Sequence, residues 1–269
     1  MEKRIFFFDI DGTLIDLMRD VPEPTPATIE CFRQLHAQGA HVVLATGRAK
    51  FLVPPEVMSL GFDGCIFSNG GFVSFQDRVV ENSFLSLSEM ETIDRNAEAA
   101  GAQLIFIEQE KAHMKQIDQP FARDFINLFS TFTRKRFDDC WDFTRYKPTM
   151  ANLVFETEES MKKFKELTGD EFDVCYFKEE MLYADLTHKG VSKGRGVNRL
   201  LEELKIGRAC AYAFGDGQND IQMFQSVGHA YAMGGARERV KKIARFTTDS
   251  CREDGIFNAL VSCGAVKAV

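Results

Sequence analysis

Two pairs of aspartates stand directly after apolar runs. In "RIFFFDIDGTLID", Asp9 and Asp11 follow Ile5-Phe6-Phe7-Phe8, and in "AYAFGDGQNDI" Asp216 and Asp220 follow a second apolar stretch. A run without polar alternation reads as a strand buried on both faces. An acid leaving such a strand at its carboxyl end points into the crevice where open α/β sheets bind their ligands. If the extended geometry persists, Asp9 and Asp11 lie on the same side of the chain. On its own, an Asp-Gly pair is more simply a turn or a helix cap, and the second acidic pair tips the balance toward chemistry. Four carboxylates drawn into one crevice repel, raise one another's pKa and destabilise the fold unless a cation sits among them. Oxygen donors with no His or Cys nearby select a hard ion. Few protein ligands, completed by water and a phosphate, suit Mg²⁺. Thr46, the amide of Gly47, the Asn219 side chain and Lys193 stand at the remaining strand and helix tips, offering hydrogen bonds and positive charge: a phosphate cradle beside a metal.

The elements that must hold these residues follow from the pattern. "TPATIECFRQLHAQG" reads as a helix capped by Thr25, with Pro26 at its first position, Ile29, Phe32 and Leu35 at helical spacing and Gly39 at its end. "HVVLATGR" and "CIFSNGG" read as buried strands, the first ending at Thr46 and the second in Ser68-Asn69-Gly70-Gly71. Strands separated by helices imply right-handed crossovers and a parallel sheet with its polar tips along one edge. The middle of the chain has a different rhythm. Two helices ("SLSEMETIDRNAEAAG", "TEESMKKFKELTG") and four strands ("AQLIFIEQE", "MANLVFET", "FDVCYFK", "MLYADLT") suggest an antiparallel sheet with one wet face; the charged and aromatic stretch 109–148 gives no clear element. The α/β alternation resumes near 187. The expected organisation is a discontinuous Rossmann-like α/β core, 1–82 and 187–269, with an α+β domain inserted at 83–186.

Composition narrows the partners. Of 269 residues, 45% are hydrophobic, enough for a sizeable core, and the formal charge is -7 with both signs interspersed. The basic cluster Arg134-Lys135-Arg136 is followed at once by Asp138 and Asp139, so nucleic acid is a poor principal partner. Seven scattered cysteines without a CxxC pair read as reduced core residues. No apolar run approaches the ~18 residues of a membrane span, and the start of the chain shows no secretory pattern. These features lead us to expect a cytoplasmic protein that does not associate with membranes, of undefined oligomeric state.

Four motifs, in order, carry a family resemblance: "FFFDIDGTLID" (6–16), "LATGR" (44–48), "GVSKGRGV" (190–197) and "FGDGQNDIQMF" (214–224). Together they resemble the haloacid dehalogenase-like phosphohydrolases, in particular the Cof-type branch. That resemblance implies a Rossmann-like core and a type-two cap between the threonine and lysine motifs. Two stretches depart from the family pattern, "AMGGA" (232–236) for the usual AMGNA and "TTDSCREDGI" (247–256), without loss of a catalytic position. The resemblance and the chemistry agree on a mechanism. Asp9 is the expected nucleophile, forming an aspartyl-phosphate, and Asp11 the general acid and then base. Asp9, Asp216 and the main-chain carbonyl of Asp11 would hold Mg²⁺. Lys193, Thr46, Asn219 and the amides of Ile10 and Gly47 would bind phosphoryl oxygens, and Asp220 would orient Lys193 or a metal-bound water. Arg48 suits either a substrate contact or an ion pair that holds its loop and is left out of the site, and His188, a lone histidine in a linker, is read as structural or solvated. The expected activity is hydrolysis of small phosphorylated metabolites, sugar phosphates being a plausible subset. A phosphomutase or phosphotransferase on the same nucleophile, or a non-catalytic binding protein, are the alternatives.

Overall fold

The computed structural model describes residues 3–76, 78–115, 136–177 and 182–268. Arg134 and Lys135 of the basic cluster, and the ends of the strands expected around Lys178 and Met181, lie outside the described residues. The chain divides into two compact units, Met1–Gly47 with Val53–Glu81 and Ser192–Val269, and Arg48–Leu52 with Asn82–Val191.

The first unit is built on an eight-stranded sheet. In chain order its strands are β1 (Ile5–Phe8), β2 (His41–Ala45), β3 (Gly64–Phe67), β4 (Phe72–Phe75), β5 (Arg78–Asn82), β12 (Ala211–Gly215), β13 (His229–Ala232) and β14 (Phe246–Thr247). Their spatial order is β14-β13-β12-β1-β2-β3-β4-β5. From β14 to β3 all pairings are parallel, whereas β3 and β4 run antiparallel. The β4–β5 extension is absent from the sequence expectation, because its half-exposed residues lack the continuous apolar run that marked the inner strands. β1 lies at the centre and is buried on both faces, as its composition predicts. Phe6 and Phe8 pack with Phe32, Leu35, Ile256 and Leu260 on one side. Ile5 and Phe7 pack with Val197, Leu200, Met223 and Val240 on the other. The Pro26–Ala37 helix on the first side begins with the expected Thr25 cap, whose hydroxyl accepts from the Thr28 amide.

The second unit is a six-stranded sheet in the order β10-β11-β9-β6-β7-β8, where β6 is Gln103–Ile107, β7 Ala112–Met114, β8 Phe137–Asp138, β9 Met150–Val154, β10 Asp173–Phe177 and β11 Tyr183–Thr187. The helices Leu87–Ala100 and Glu158–Thr168 cover one face. The other face is drier than the sequence pattern suggests. Ile105, Ile107, Met150 and Val154 pack there with Phe137 of β8 and with Ala49 and Leu52, the last two remote in sequence from the strands they cover. Within the stretch the sequence left open, buried His113 is held between Asp138 at 2.6 Å and Glu108 at 3.0 Å, and its ring stacks on Tyr146. Two polar contacts and a ring stack thus fix His113 in β7, within a stretch that periodicity could not place.

An aromatic row crosses the first sheet. Phe8 stacks on Phe214 with centroids 5.1 Å apart, Phe214 on Tyr231 at 4.9 Å and Tyr231 on Phe246 at 4.9 Å. Phe8 also meets Phe32 at 4.8 Å, so it ties the central strand to both its neighbour and the overlying helix. Phe8→Ala should therefore lower unfolding free energy by ~3–5 kcal/mol in chemical denaturation, the range for a buried phenylalanine with no solvent to fill the gap.

Candidate active site

Register brings the acidic motifs together. Phe8 pairs with Leu44 on one side and Phe214 on the other. One residue past that line stands Asp9, and two residues past it stand Thr46 and Asp216. All three therefore leave the sheet at its carboxyl edge beside one another, where the central strands offer a crevice. The turn after Asp9 is tight: the Ile10 carbonyl accepts from the Thr13, Leu14 and Ile15 amides, and the Gly12 amide donates to Ile15. Gly12 has a φ of 77°, and a Cβ there would stand 2.2 Å from Asp216 Oδ2. Only glycine lets the two acidic loops approach so closely.

Lys193 is the first residue of the Lys193–Leu204 helix, which Ser192 caps by accepting from the Arg195 amide. A cation at a helix amino terminus faces the positive end of the helix dipole, so this position is unfavourable on local grounds. The lysine is nonetheless fully buried, with Nζ donating to Asp9 Oδ1 at 2.6 Å and to Asp220 Oδ1 at 2.7 Å. Burial acts against the ammonium, but Asp220 and Asp9 beside it outweigh burial and raise its pKa above the ordinary lysine value. The second oxygen of Asp220 accepts from the Asp216 and Gly217 amides at 3.0 and 2.8 Å. Both oxygens of Asp220 are thus committed to positioning.

Negative charge remains in excess. Carboxylate oxygens of Asp9, Asp216 and Asp220 lie within 4.8 Å of one another, with Lys193 among them. Burial, then Asp220, raises Asp9 to about 7 against the opposing pull of Lys193. Burial, then Asp9 and Asp220, pushes Asp216 well above the usual carboxylate range. A donor set of oxygens that resist ionising together fits a hard divalent cation. Since Asp220 is engaged on both sides, Asp9 and Asp216 are the carboxylates left to bind it.

The remaining expected residues are distributed as follows. Thr46 is buried, its amide donating to the Ile66 carbonyl and its carbonyl accepting from the Asn69 amide. Gly47 follows it at the part-exposed tip of β2, and Asp11 is exposed on the turn after β1. The Asn219 Nδ2 donates to Asn69 Oδ1 at 2.9 Å. Asn69 is the residue that the sequence reading passed over, although its place at a polar strand end was visible. Arg48 donates to the Leu52 carbonyl, and His188 meets Glu89 at 2.6 Å.

Acids gathered around a buried lysine at the carboxyl edge of a parallel sheet mark the candidate site, and comparison supplies the family. The family model for haloacid dehalogenase-like hydrolases (Hydrolase_3) matches residues 6–260, and the chain belongs to that family. The Bacillus subtilis (strain 168) protein named "Putative phosphatase YkrA" is 33% identical over 267 residues, covering 99% of this chain and 100% of that one. The solved HAD subclass IIB sugar phosphatase BT4131 is 25% identical with a TM-score of 0.84, covering 98% of this chain and 100% of that one. A solved member of a phosphoryl-transfer superfamily that conserves a trigonal-bipyramidal intermediate is 26% identical, again with a TM-score of 0.84 and coverage of 98% and 100%. No helix among the described residues is long and apolar enough to cross a membrane.

The charge imbalance has a measurable consequence for stability. A carboxyl whose folded pKa is raised holds its proton longer in the folded chain than in the unfolded one, so stability falls as pH climbs from the unfolded value near 4 to about 7. In EDTA the melting temperature should decline across that window. Asp216→Asn, which removes one repelling charge, should melt several degrees higher than the wild type in EDTA at neutral pH, where ~1 kcal/mol corresponds to about 2–4 °C. It should also lose most of the stabilisation that added divalent cation gives the wild type. Thermal scans with and without cation check both.

Proposed function

We propose that this chain is a phosphatase that hydrolyses small phosphorylated metabolites, sugar phosphates among them, with Mg²⁺ as its metal and an aspartyl-phosphate on Asp9 as its intermediate. The observation that carries the reading is the buried Lys193 ammonium between Asp9 and Asp220, with Asp216 alongside. A carboxylate held next to a cation at the edge of a crevice suits attack on an anionic phosphorus centre. The phosphatase name of YkrA and the sugar phosphatase activity of BT4131 support the substrate class.

In this mechanism Asp9 attacks phosphorus while Asp11 gives its proton to the departing alcohol oxygen. Asp11, now a carboxylate, takes a proton from water as that water attacks the aspartyl-phosphate, releasing inorganic phosphate and restoring both acids. Lys193, Thr46, Asn219 and the amides of Ile10 and Gly47 bind phosphoryl oxygens and stabilise the charge that builds on them. Mg²⁺, held by Asp9, Asp216 and the Asp11 carbonyl, would supply charge neutralisation between carboxylate and phosphate. Asp220 keeps Lys193 aimed. The phosphate contacts are common to any monoester, so the choice of substrate is assigned to the inserted domain, 83–186, acting as a cap. A cytoplasmic location fits the free cysteines, of which Cys31, Cys65 and Cys251 are buried.

The two aspartates of the first motif should fail differently. Asp9→Asn should abolish turnover of every phosphate ester. Asp11→Asn should lose ~10²–10⁴-fold on sugar phosphates, whose alkoxide leaves poorly without a proton. With p-nitrophenyl phosphate the same variant should release a rapid burst of nitrophenol near one per active site, then turn over slowly with phosphate trapped on the protein. Equal losses on both ester types, without burst or phosphoprotein, would reduce Asp11 to a turn residue. Isomerised sugar phosphate in place of free phosphate would make the enzyme a mutase.

The metal and the cap are tested separately. EDTA should stop turnover and Mg²⁺ restore it, whereas Ca²⁺, which prefers more ligands at longer distance, should support far less; full activity in EDTA removes the metal from the mechanism. A core with 84–185 replaced by a short linker should keep some hydrolysis of small esters but rank metabolites almost evenly. An unchanged ranking would place specificity in the core.

A further inference from the structure

The turn Ser68-Asn69-Gly70 has no role in the mechanism above, yet it touches three of the four motifs. Ser68 and Asn69 both adopt left-handed backbone, with φ of 51° and 52°, and both are buried. Two such residues in succession without being glycine are costly, and strain of this kind persists where the surroundings impose it. The Asn69 amide donates to the Thr46 carbonyl at 3.0 Å. Gly70 packs on the Ser192 carbonyl, 2.2 Å from where a Cβ would stand, and Ser192 caps the helix that opens with Lys193. The Asn69 side chain reaches the fourth motif, its Oδ1 accepting from Asn219 Nδ2 at 2.9 Å.

Glycine would take this backbone conformation at no steric cost. What asparagine adds is the side-chain acceptor. A primary amide carries two N–H donors, and the bond to Asn69 occupies one of those on Asn219. We propose that Asn69 is a positioning residue: by accepting one N–H of Asn219 it fixes the amide plane and turns the second N–H toward a phosphoryl oxygen of the bound monoester. The proposal rests on the phosphatase reading and on the assignment of Asn219 to phosphate. It gives the strained turn a function, since the turn carries one fixed geometry from the tip of β3 to the loop after β12.

A double-mutant cycle tests it. With p-nitrophenyl phosphate and Mg²⁺, Asn69→Gly keeps the backbone conformation and should lower kcat/KM about 10-fold, mostly through KM, with a matching rise in the inhibition constant of inorganic phosphate. In an Asn219→Ala background the same substitution should cost less than about 2-fold, because nothing is left to aim. Losses that multiply across the cycle overturn the proposal, as they would for a turn that only supports the fold. The wild-type protein gives a second readout should Asn69→Gly not fold. The two side-chain N–H signals of Asn219, identified by their loss in Asn219→Ala, should respond unequally to inorganic phosphate with Mg²⁺. One should shift and its Asn69-bonded twin stay in place; both moving together, or neither, overturns the assignment. A wild type that hydrolyses no phosphate monoester sinks the phosphatase reading alone, and the amide signals still decide Asn69.

Discussion

A single buried ammonium organises this molecule's chemistry. Lys193 stands where the local helix field is unfavourable and where no water reaches it, so its charge persists only because Asp9 and Asp220 flank it. Each carboxylate comes from a different strand end. The lysine therefore joins the central strand, the loop after β12 and the amino terminus of the Lys193–Leu204 helix in one electrostatic unit. Asp220 extends that unit to the backbone through the Asp216 and Gly217 amides. Loss of any one member would leave a charge stranded in low dielectric, which is why parts so far apart in sequence act together.

The same arrangement stores an imbalance. One lysine cannot offset three nearby carboxylates, and the burial that sharpens the interaction with Lys193 also makes ionisation of Asp9 and Asp216 costly. Stability and function pull apart here: the cluster is poorly suited to an empty fold and well suited to a cation with an anionic substrate. Gly12 serves that second purpose, since its missing side chain lets the acidic loops meet.

Much of this was legible in the sequence, for identifiable reasons. β1 announced itself because a strand buried on both faces needs an unbroken apolar run, and the acids at its end had no structural excuse once a second pair appeared. The helix of Lys193 was legible through its motif, although a lone lysine at that position would look solvated. Other features depend on contacts between distant residues and leave no periodic trace. β4 and β5 are half-exposed, and the apolar cover of the second sheet comes in part from Ala49 and Leu52. The link from Asn69 to Asn219 spans 150 positions, and neither partner signals the other. His113 lies in a charged and aromatic stretch without periodicity, and only the fold places Glu108 and Asp138 on either side of it.

The contact between His188 and Glu89 has a consequence for how the chain assembles. Glu89 also accepts from the Ser86 amide in the capping box of its helix, so the segment entering the inserted unit and the one leaving it are clasped by the same carboxylate. For the core, the insertion then behaves as a short tether. Joining β1 to β12 across an unfolded intervening chain would carry the loop-closure entropy of some two hundred residues, a cost that grows with the logarithm of length. Once the insertion has folded on its own contacts, about half of that length no longer counts. During synthesis the inserted unit also emerges before β12, and can be in place when the last strands of the core arrive.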